Sequence, residues 1–412
     1  MTILSAPDET IFPTSLGPEY ISFDHIHWYV GNAKQAASYY ITRMGFKPLA
    51  YRGPETGSHC LASYVIANGE AVFILTGPVC GPARADAENK ALQRATCEER
   101  AALAAVHEHL TVHGDGVKDV AFRITGDVDA VWRRAIKNGA AAVDGPKIVQ
   151  ADCGGDGYIM TATVGTYGDT VHSLVNREHY ARDAPFLPGY RVVDGDDDPI
   201  NQILPPVEFL EIDHCVGNQS WGGVDQVVQF YEECLDFHRY WTVDDKAMCS
   251  EYSAMRSIVV ASPNETIKMP MNEPANGKKK SQIEEYVDYY HGAGVQHIAF
   301  RSHDIVSAVT HLQARGVQFL QVPSAYYTDL RQRLSHVSWT LDADVAVLEK
   351  LNILVDFDER GYLLQIFAKH VGDRPTVFVE VIQRHGFDGF GAGNFKSLFE
   401  AFEREQALRG NL

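Results

Sequence analysis

The segment GVQHIAFR (294–301) decides the fold of this sequence, because a closely similar segment, GVKDVAFR (116–123), occurs earlier in the chain. Each copy is followed by a segment that begins at an aspartate and ends at a glycine, DVDAVWRRAIKNG (127–139) and DIVSAVTHLQARG (304–316). Apolar residues recur there at three- and four-residue spacing, which predicts a helix that the glycine ends. The chain therefore contains an internal duplication of a strand followed by a helix.

Two further pairs of segments follow the same order along the chain. FDHIHWYVGN (23–32) is similar to EIDHCVGNQS (211–220), and GYIMTATVGTYGDT (157–170) is similar to GYLLQIFAKHVGDRPT (361–376). Three collinear matches make coincidence a poor explanation. Each half is therefore expected to fold as a strand, a helix and several further strands.

The segment between the two copies, residues 177–206, is rich in proline, glycine and aspartate, which is typical of a linker. We therefore predict an N-terminal domain over residues 18–176 and a C-terminal domain over residues 207–412. A repeated β-α-β-β-β unit that packs in pairs into a half-open barrel is the architecture of the vicinal-oxygen-chelate superfamily. The duplication resembles that α+β fold, so two half-open barrel domains are expected.

Composition narrows the class of partner. The 412 residues are 45% hydrophobic and carry a formal net charge of -18, which argues against binding nucleic acid or an anionic membrane surface. Seven cysteines lie far apart without a C-x-x-C pair, so reduced thiols are expected. The first 20 residues lack a basic region followed by an apolar run, and no run of about 18 apolar residues occurs. We expect a cytoplasmic enzyme or binding protein for small molecules.

The duplication also provides an internal comparison of polar residues on matched strands. At the first position both halves have histidine, His25 and His214. At the second position the C-terminal half has His297, where the N-terminal half has Asp119. A single histidine beside an apolar strand is more often a hydrogen-bonded core residue than a ligand, so neither histidine alone indicates a metal site.

The third matched position is a glutamate. Glu380 lies in PTVFVEVIQR (375–384), and the matching segment TVHSLVNR (170–177) offers either Ser173 or Leu174 there. Alternation along the strand puts Glu380 on the same face as Phe378, where an ionised carboxylate needs a partner or a metal. Only the C-terminal half therefore retains two histidines and one carboxylate.

Two imidazoles and one carboxylate on three neighbouring strands match the facial triad of non-haem iron(II) oxygenases. That triad leaves positions open for an α-keto acid and for dioxygen. Zinc could use the same ligands in a hydrolase, but it cannot donate the electron that oxygen chemistry requires. The pattern predicts an Fe(II) centre formed by His214, His297 and Glu380.

Several segments of the C-terminal half are similar to the 4-hydroxyphenylpyruvate dioxygenase family. They are MNEPANGKKKSQIEEYVDYY (271–290), GAGVQHIAF (292–300), GYLLQIF (361–367), DRPTVFVEVIQRHG (373–386) and GFGAGNFKSLFEAFEREQ (389–406). The resemblance extends from about Tyr20 to the C-terminus and is strongest after Val207. It implies an Fe(II) enzyme of tyrosine and phenylalanine catabolism that converts 4-hydroxyphenylpyruvate and O2 to homogentisate and CO2. We also expect a homodimer or a higher homo-oligomer.

The resemblance further implies a substrate pocket of amide, hydroxyl and aromatic side chains. A hydroxyphenyl ring needs apolar walls for its faces and a few polar groups for its hydroxyl. The expected pocket residues are Ser257, Asn272, Gln282, Gln296, Gln365, Phe367, Phe378, Phe390 and Phe395. The segment from Phe395 onward is apolar at helical spacing, which predicts a terminal helix that could close over the iron site.

Two alternatives stay open at this point. 4-Hydroxymandelate synthase is a sister enzyme with the same substrate and ligands that oxidises the benzylic carbon; the aromatic Phe395 favours the dioxygenase. The superfamily also contains non-catalytic binding proteins, against which the intact ligand set argues. Oxygen uptake and product analysis would separate these possibilities.

Overall fold

A computed structural model of the chain describes residues 19–82, 89–150, 156–193, 198–243 and 254–411. Within these residues the strands form two mixed sheets. The first sheet contains β1 (Tyr20–Tyr29), β2 (Lys47–Arg52), β3 (Leu61–Asn68), β4 (Ala71–Pro78), β5 (Gly116–Ile124), β6 (Ala141–Gln150), β7 (Tyr158–Gly165), β8 (Val171–Asn176) and β9 (Arg191–Val192). The second contains β10 (Glu211–Asn218), β11 (His238–Val243), β12 (Ala254–Ala261), β13 (Lys268–Ala275), β14 (Gly294–Arg301), β15 (Leu354–Phe357), β16 (Tyr362–Phe367) and β17 (Phe378–His385).

The α-helices of the described residues connect these strands. They are α1 (Ala33–Met44), α2 (Lys90–Arg94), α3 (Cys97–Val112), α4 (Val128–Lys137), α5 (Pro199–Ile203), α6 (Val224–Leu235), α7 (Gln282–Tyr290), α8 (Ile305–Ala314), α9 (Ser324–Leu334), α10 (Val345–Leu351) and α11 (Phe395–Arg409). Short 3-10 turns span Pro54–Thr56 and Ala392–Asn394. The last helix, α11, agrees with the terminal helix predicted from the sequence.

The strand orders of the two sheets confirm the duplication. The first sheet has the order β6-β7-β8-β5-β1-β4-β3-β2, and the second has β15-β16-β17-β14-β10-β13-β12-β11, so each strand has a counterpart in the other half. The first sheet adds β9 beside β2. Each half also contains two β-α-β-β-β units in tandem, for example β1-α1-β2-β3-β4 followed by β5-α4-β6-β7-β8. The sequence matches connect only the two halves with each other, and the pairing of units within each half was expected from the resemblance to the vicinal-oxygen-chelate fold.

The helices α4 and α8 begin where the sequence predicts. The side chain of Asp127 accepts a hydrogen bond from the Asp129 N–H, and that of Asp304 accepts one from the Ser307 N–H. Each aspartate thus satisfies a free amide of the first turn. Gly316 has a φ of +85°, a left-handed conformation that ends α8 at low cost.

The predicted linker contains some regular structure in its described part. The two-residue strand β9 pairs with β2, and the helix α5 follows it. Residues 194–197 lie outside the described residues. The domain boundaries 18–176, 177–206 and 207–412 stay predictions.

An aromatic cluster joins the two halves in one core. The rings of Phe209 and Phe300 stack at a centroid distance of 4.6 Å, and Phe300 also contacts Phe73 at 5.7 Å and Phe46 at 5.8 Å. All four side chains are buried. Because Phe300 belongs to β14, this packing fixes the strand that carries His297.

Two further predictions concern thiols and membranes. The described cysteines are free, among them the buried Cys60 and Cys215, whereas Cys153 and Cys249 lie outside the described residues. Among the helices that the structure describes, none is both long enough and apolar enough to span a membrane.

Candidate metal centre

Three neighbouring strands of the second sheet bring the predicted ligands together. In β10 and β14, which run antiparallel, His214 lies opposite Ala299; in β14 and β17, which run parallel, Ala299 lies opposite Glu380. His297 is two residues from Ala299 and therefore on the same face of the sheet. The Nε2 atoms of His214 and His297 lie 3.2 and 3.4 Å from Glu380 Oε2. The ligand atoms thus converge on one buried point.

Hydrogen bonds at the far side of each ring orient the two imidazoles. His214 Nδ1 donates to Asp213 at 2.8 Å, and His297 Nδ1 donates to the Gln296 side-chain oxygen at 3.0 Å. With Nδ1 protonated, each neutral ring directs the lone pair of Nε2 toward the Glu380 carboxylate. Three acceptor groups that face one another without a proton between them fit a divalent metal ion, and such outer hydrogen bonds are usual for metal-bound histidine.

The electrostatics of the carboxylates support this arrangement. Burial disfavours the charged form of Asp213, but the Arg384 guanidinium and hydrogen bonds from His214 and Arg384 outweigh it and lower the pKa of that carboxyl. Burial likewise opposes charge on Glu380, yet the adjacent His214 and His297 rings outweigh it and lower the pKa of that carboxyl. Both side chains are therefore ionised at neutral pH.

Arg384 connects the metal centre to the pocket wall. Its guanidinium binds Asp213 through two hydrogen bonds of 2.8 and 2.9 Å, and it donates to the Gly389 carbonyl at 2.6 Å. It also lies 5.3 Å from the centre of the Phe390 ring. One buried cation therefore fixes both the partner of His214 and the loop that carries Phe390. The sequence contained a signal for it, because Arg177 occupies the matching position.

The N-terminal half repeats this outer arrangement. His25 Nδ1 lies 2.7 Å from Asp24, Arg177 binds Asp24 at 2.7 and 2.8 Å, and the Arg177 guanidinium lies 4.3 Å from the Phe186 ring centre. These contacts match those of His214, Asp213, Arg384 and Phe390 in the second half. The duplication therefore preserved the support around the histidine.

The other two ligand positions have changed in that half. In β5 and β8, Asp119 lies opposite Val171, as His297 lies opposite Phe378, which places Ser173 at the position of Glu380. Ser173 donates to Asp119 through its hydroxyl at 2.5 Å and its N–H at 2.9 Å. Asp119 is thus already hydrogen-bonded, and the matched positions of this half contain neither the second imidazole nor the carboxylate that Glu380 provides.

A cavity next to the candidate ligands contains most of the predicted pocket residues. Two of them, Gln282 and Gln296, are hydrogen-bonded to each other: Gln296 Nε2 donates to Gln282 Oε1 at 3.3 Å. The predicted residues that line it are Ser257, Asn272, Gln282, Gln296, Phe367, Phe378, Phe390 and Phe395. The sequence did not identify Val216, Trp241, Met255, Val259, Pro270, Leu398 and Phe402, which also line it. Leu398 and Phe402 come from α11, so the terminal helix forms part of the wall.

Gln365 is placed differently from the other predicted pocket residues. Its side chain is buried on β16 outside the lining of the cavity, and a Cβ atom at Gly391 would lie 2.3 Å from its amide nitrogen. Gly391 has a φ of +79°, so a glycine is required there for both space and backbone conformation. A direct contact of Gln365 with substrate stays a prediction.

Comparisons with known proteins agree with this geometry. A profile of the Glyoxalase/Bleomycin resistance protein/Dioxygenase superfamily matches residues 211–366. Over 412 residues the chain is 68% identical to a probable 4-hydroxyphenylpyruvate dioxygenase 2 of Aspergillus fumigatus, which covers 100% of both chains. The chain belongs to the 4-hydroxyphenylpyruvate dioxygenase family. A family relative from Yarrowia lipolytica is 51% identical over 394 residues, covering 95% of this chain and 94% of its own.

A solved structure of a related enzyme extends the comparison beyond the dioxygenase family. A mutant of 4-hydroxymandelate synthase from Streptomyces coelicolor matches with a TM-score of 0.76 and 31% identity, over 94% of this chain and 99% of that chain. The dioxygenase relatives are more similar in sequence, which favours the family identified from the sequence over the sister enzyme.

Proposed function

We propose that this protein is an Fe(II)-dependent dioxygenase that converts 4-hydroxyphenylpyruvate and O2 to homogentisate and CO2. One observation carries the proposal: two imidazole Nε2 atoms converge on the Glu380 carboxylate beside an aromatic cavity, in a chain of this family. When bound, iron(II) would supply the electrons that activate dioxygen and would bind the α-keto acid. His214, His297 and Glu380 would hold it.

Aromatic side chains around the ligands would position the substrate ring. The Phe378 ring stacks on the His297 ring at 4.8 Å, and the Phe390 ring meets the His214 ring edge-on at 5.2 Å. These contacts fix the two phenylalanines relative to the ligands, so that a bound aryl group is held at a constant distance from the reacting α-keto acid. Apolar walls also exclude water from the site.

Polar side chains of the cavity lining would recognise the phenol. Gln282 and Gln296 both present amides, and Gln296 also accepts the hydrogen bond from His297. Asn272 and Ser257 lie opposite each other on β13 and β12 and are buried in the lining. The substrate hydroxyl would find a hydrogen-bond partner among these side chains. An unsubstituted phenyl ring would instead leave the same side chains without a partner.

We further propose a role in tyrosine and phenylalanine catabolism, a cytoplasmic location and a homodimer or higher homo-oligomer. The free, buried thiols of Cys60 and Cys215 support a reducing compartment. The oligomeric state and the pathway follow from the family resemblance, and equilibrium sedimentation of the purified protein tests the former.

The experiment combines an oxygen electrode with chromatography of the product. Iron-loaded protein is given 4-hydroxyphenylpyruvate, and we expect oxygen uptake with formation of homogentisate. Formation of 4-hydroxymandelate would instead assign the sister activity, which the 31% identical structural relative makes the second candidate. Binding of the keto acid without oxygen uptake would overturn both enzyme assignments.

A further inference from the structure

A second cluster of imidazole and carboxylate groups lies between the two halves, away from the candidate iron site. His109 lies in the last turn of α3 and His113 is the residue that caps this helix, four positions later, so both side chains project from the same face. They meet Asp169, in the turn between β7 and β8. His109 Nδ1 lies 2.7 Å from Asp169 Oδ2, and His113 Nε2 lies 3.7 Å from Asp169 Oδ1. Only 1% of the His109 side chain and 10% of the His113 side chain are exposed.

The hydrogen bonds of His113 fix which of its nitrogens is free. His113 Nδ1 lies 2.5 Å from the backbone carbonyl of Tyr290, and a carbonyl can only accept, so Nδ1 carries the hydrogen. In the neutral ring, Nε2 then presents a lone pair to Asp169 Oδ1. That carboxylate oxygen is itself buried and has no hydrogen-bond partner among the described residues. His113 Nε2 and Asp169 Oδ1 are therefore two acceptors that face each other, as the Nε2 atoms and Glu380 do at the candidate iron site.

A histidine whose Nδ1 donates to a backbone carbonyl is oriented in the way typical of metal ligands. His109 adds a second imidazole, whose Nδ1 lies 2.7 Å from the same carboxylate. A bound ion would take the place of the hydrogen between these two atoms, and the ring hydrogen would then lie on Nε2. The ligand atoms of all three residues lie within 4.8 Å of one another. In the described part of the chain, two groups of residues could hold a metal ion, this one and the candidate iron site, and each consists of two histidines and one carboxylate.

One cation already lies beside this cluster. The Lys118 ammonium is 3.2 Å from Asp169 Oδ2 and also donates to the Asp169 backbone carbonyl. The ammonium contacts Oδ2 of Asp169, whereas His113 faces Oδ1. Because 21% of the Lys118 side chain is exposed, the ammonium can turn toward solvent. Its charge would nevertheless oppose a divalent ion, and the site is therefore expected to bind more weakly than the iron site.

We propose that His109, His113 and Asp169 form a second divalent-cation site at the junction of the two halves. Two imidazoles and one carboxylate suit a borderline ion such as Zn²⁺ or Co²⁺. Tyr290, which accepts from His113 and stacks on it at 4.3 Å, is the last residue of α7, whose first residue, Gln282, lines the substrate cavity. A bound ion would therefore join α3 of the first half to a helix that reaches the candidate active site.

The test counts Co²⁺ ions in full-length, metal-free protein. Protein saturated with Co²⁺ is desalted and analysed for metal content. We expect two equivalents for the wild type, one for Glu380→Gln, one for His113→Ala and none for the combined variant. His336→Ala removes an exposed histidine outside the cluster and should keep two. The iron-dependent oxygen uptake of His113→Ala should persist, so a failure of the proposed activity is distinguishable from a failure of this site.

Lys118→Met gives a second, independent measurement. Loss of the competing ammonium should tighten Co²⁺ binding at this site by about tenfold in the Glu380→Gln background, because a like charge a few ångströms away is removed. The proposal is overturned if Glu380→Gln binds no Co²⁺, or if it binds equally well with and without His113. Should His113→Ala not fold, Asp169→Asn, which keeps the shape of the side chain, takes its place with the same expectation.

Discussion

Replacing Arg384 by methionine should weaken metal binding through a residue that does not touch the metal. Only 11% of the Arg384 side chain and 9% of the Asp213 side chain are exposed, so the substitution leaves a buried carboxylate without its cation. Breaking such a pair costs about 3–5 kcal/mol. Because His214 still donates to Asp213, we expect the lower end, about 3 kcal/mol, in the free energy of unfolding. Loss of the direct hydrogen-bond partner of a metal ligand lowers metal affinity by about 10–100-fold, and since Arg384 acts through Asp213, we expect the lower end of this range, about tenfold.

The N-terminal half supplies a matched control for this variant. Arg177 binds Asp24 with the same two-bond geometry, and 14% and 0% of their side chains are exposed. Arg177→Met should therefore also destabilise the fold, but by less, because Arg123 still lies 3.2 Å from Asp24. It should leave iron affinity unchanged. Urea unfolding gives the stability, and anaerobic competition with a coloured Fe(II) chelator gives the affinity. If Arg384→Met binds iron as tightly as the wild type, Arg384 does not support the metal ligands. If Arg177→Met weakens iron binding as much as Arg384→Met does, the effect is not specific to the C-terminal half.

Three further predictions follow from the same contacts. Phe395→Ile removes the contact with Trp241, whose ring centre lies 6.3 Å from that of Phe395. This change should shift the product ratio toward 4-hydroxymandelate by up to about tenfold and leave the iron content unchanged. Formation of homogentisate alone at an unchanged rate would contradict this prediction. His25→Ala should leave iron content and turnover unchanged, so an iron equivalent lost on that change would contradict the comparison between the halves. Burial opposes charge on Asp24, but Arg177 lowers the pKa of this carboxyl well below the usual range. The ionised carboxylate therefore stabilises the fold above the ordinary pKa of an aspartate, and this stabilisation is lost as the pH falls through the lowered pKa. Asp24→Asn should be less stable at pH 7 and lose less stability on acidification; an unchanged pH profile in urea unfolding would count against it.

Sequence patterns predicted the parts of the site that repeat at matched positions. The pair GVKDVAFR and GVQHIAFR located β5 and β14, and the alternation in TVFVEVIQ placed Glu380 on the face that the structure brings to His214. Uncertainty between Ser173 and Leu174 followed from the low similarity of β8 and β17, which only the register of the strands resolves. The two β-α-β-β-β units within each half have diverged too far for their similarity to be seen in the sequence.

Contacts between distant elements were not predicted. The bond from Arg384 to Asp213 depends on β17 and β10 lying on either side of β14, although Asp-His and a later arginine occur in both halves. Leu398 and Phe402 line the cavity only because α11 packs against it. Gln365 was assigned to the pocket from the family resemblance, whereas its side chain lies next to Gly391, outside the residues that line the cavity. Periodicity gives the face of a strand, whereas the docking of loops and helices decides what that face meets.

Comparing the wild type with Glu380→Gln, prepared in parallel, tests most directly whether Glu380 holds the iron that supports turnover. Iron content is measured by elemental analysis, homogentisate formation by chromatography, and folding by thermal denaturation. Since the carboxylate is the group on which both Nε2 atoms converge, we expect Glu380→Gln to fold, to lose the iron equivalent that supports turnover and to make no homogentisate. A Glu380→Gln variant that keeps that iron and forms homogentisate at a near wild-type rate would contradict it.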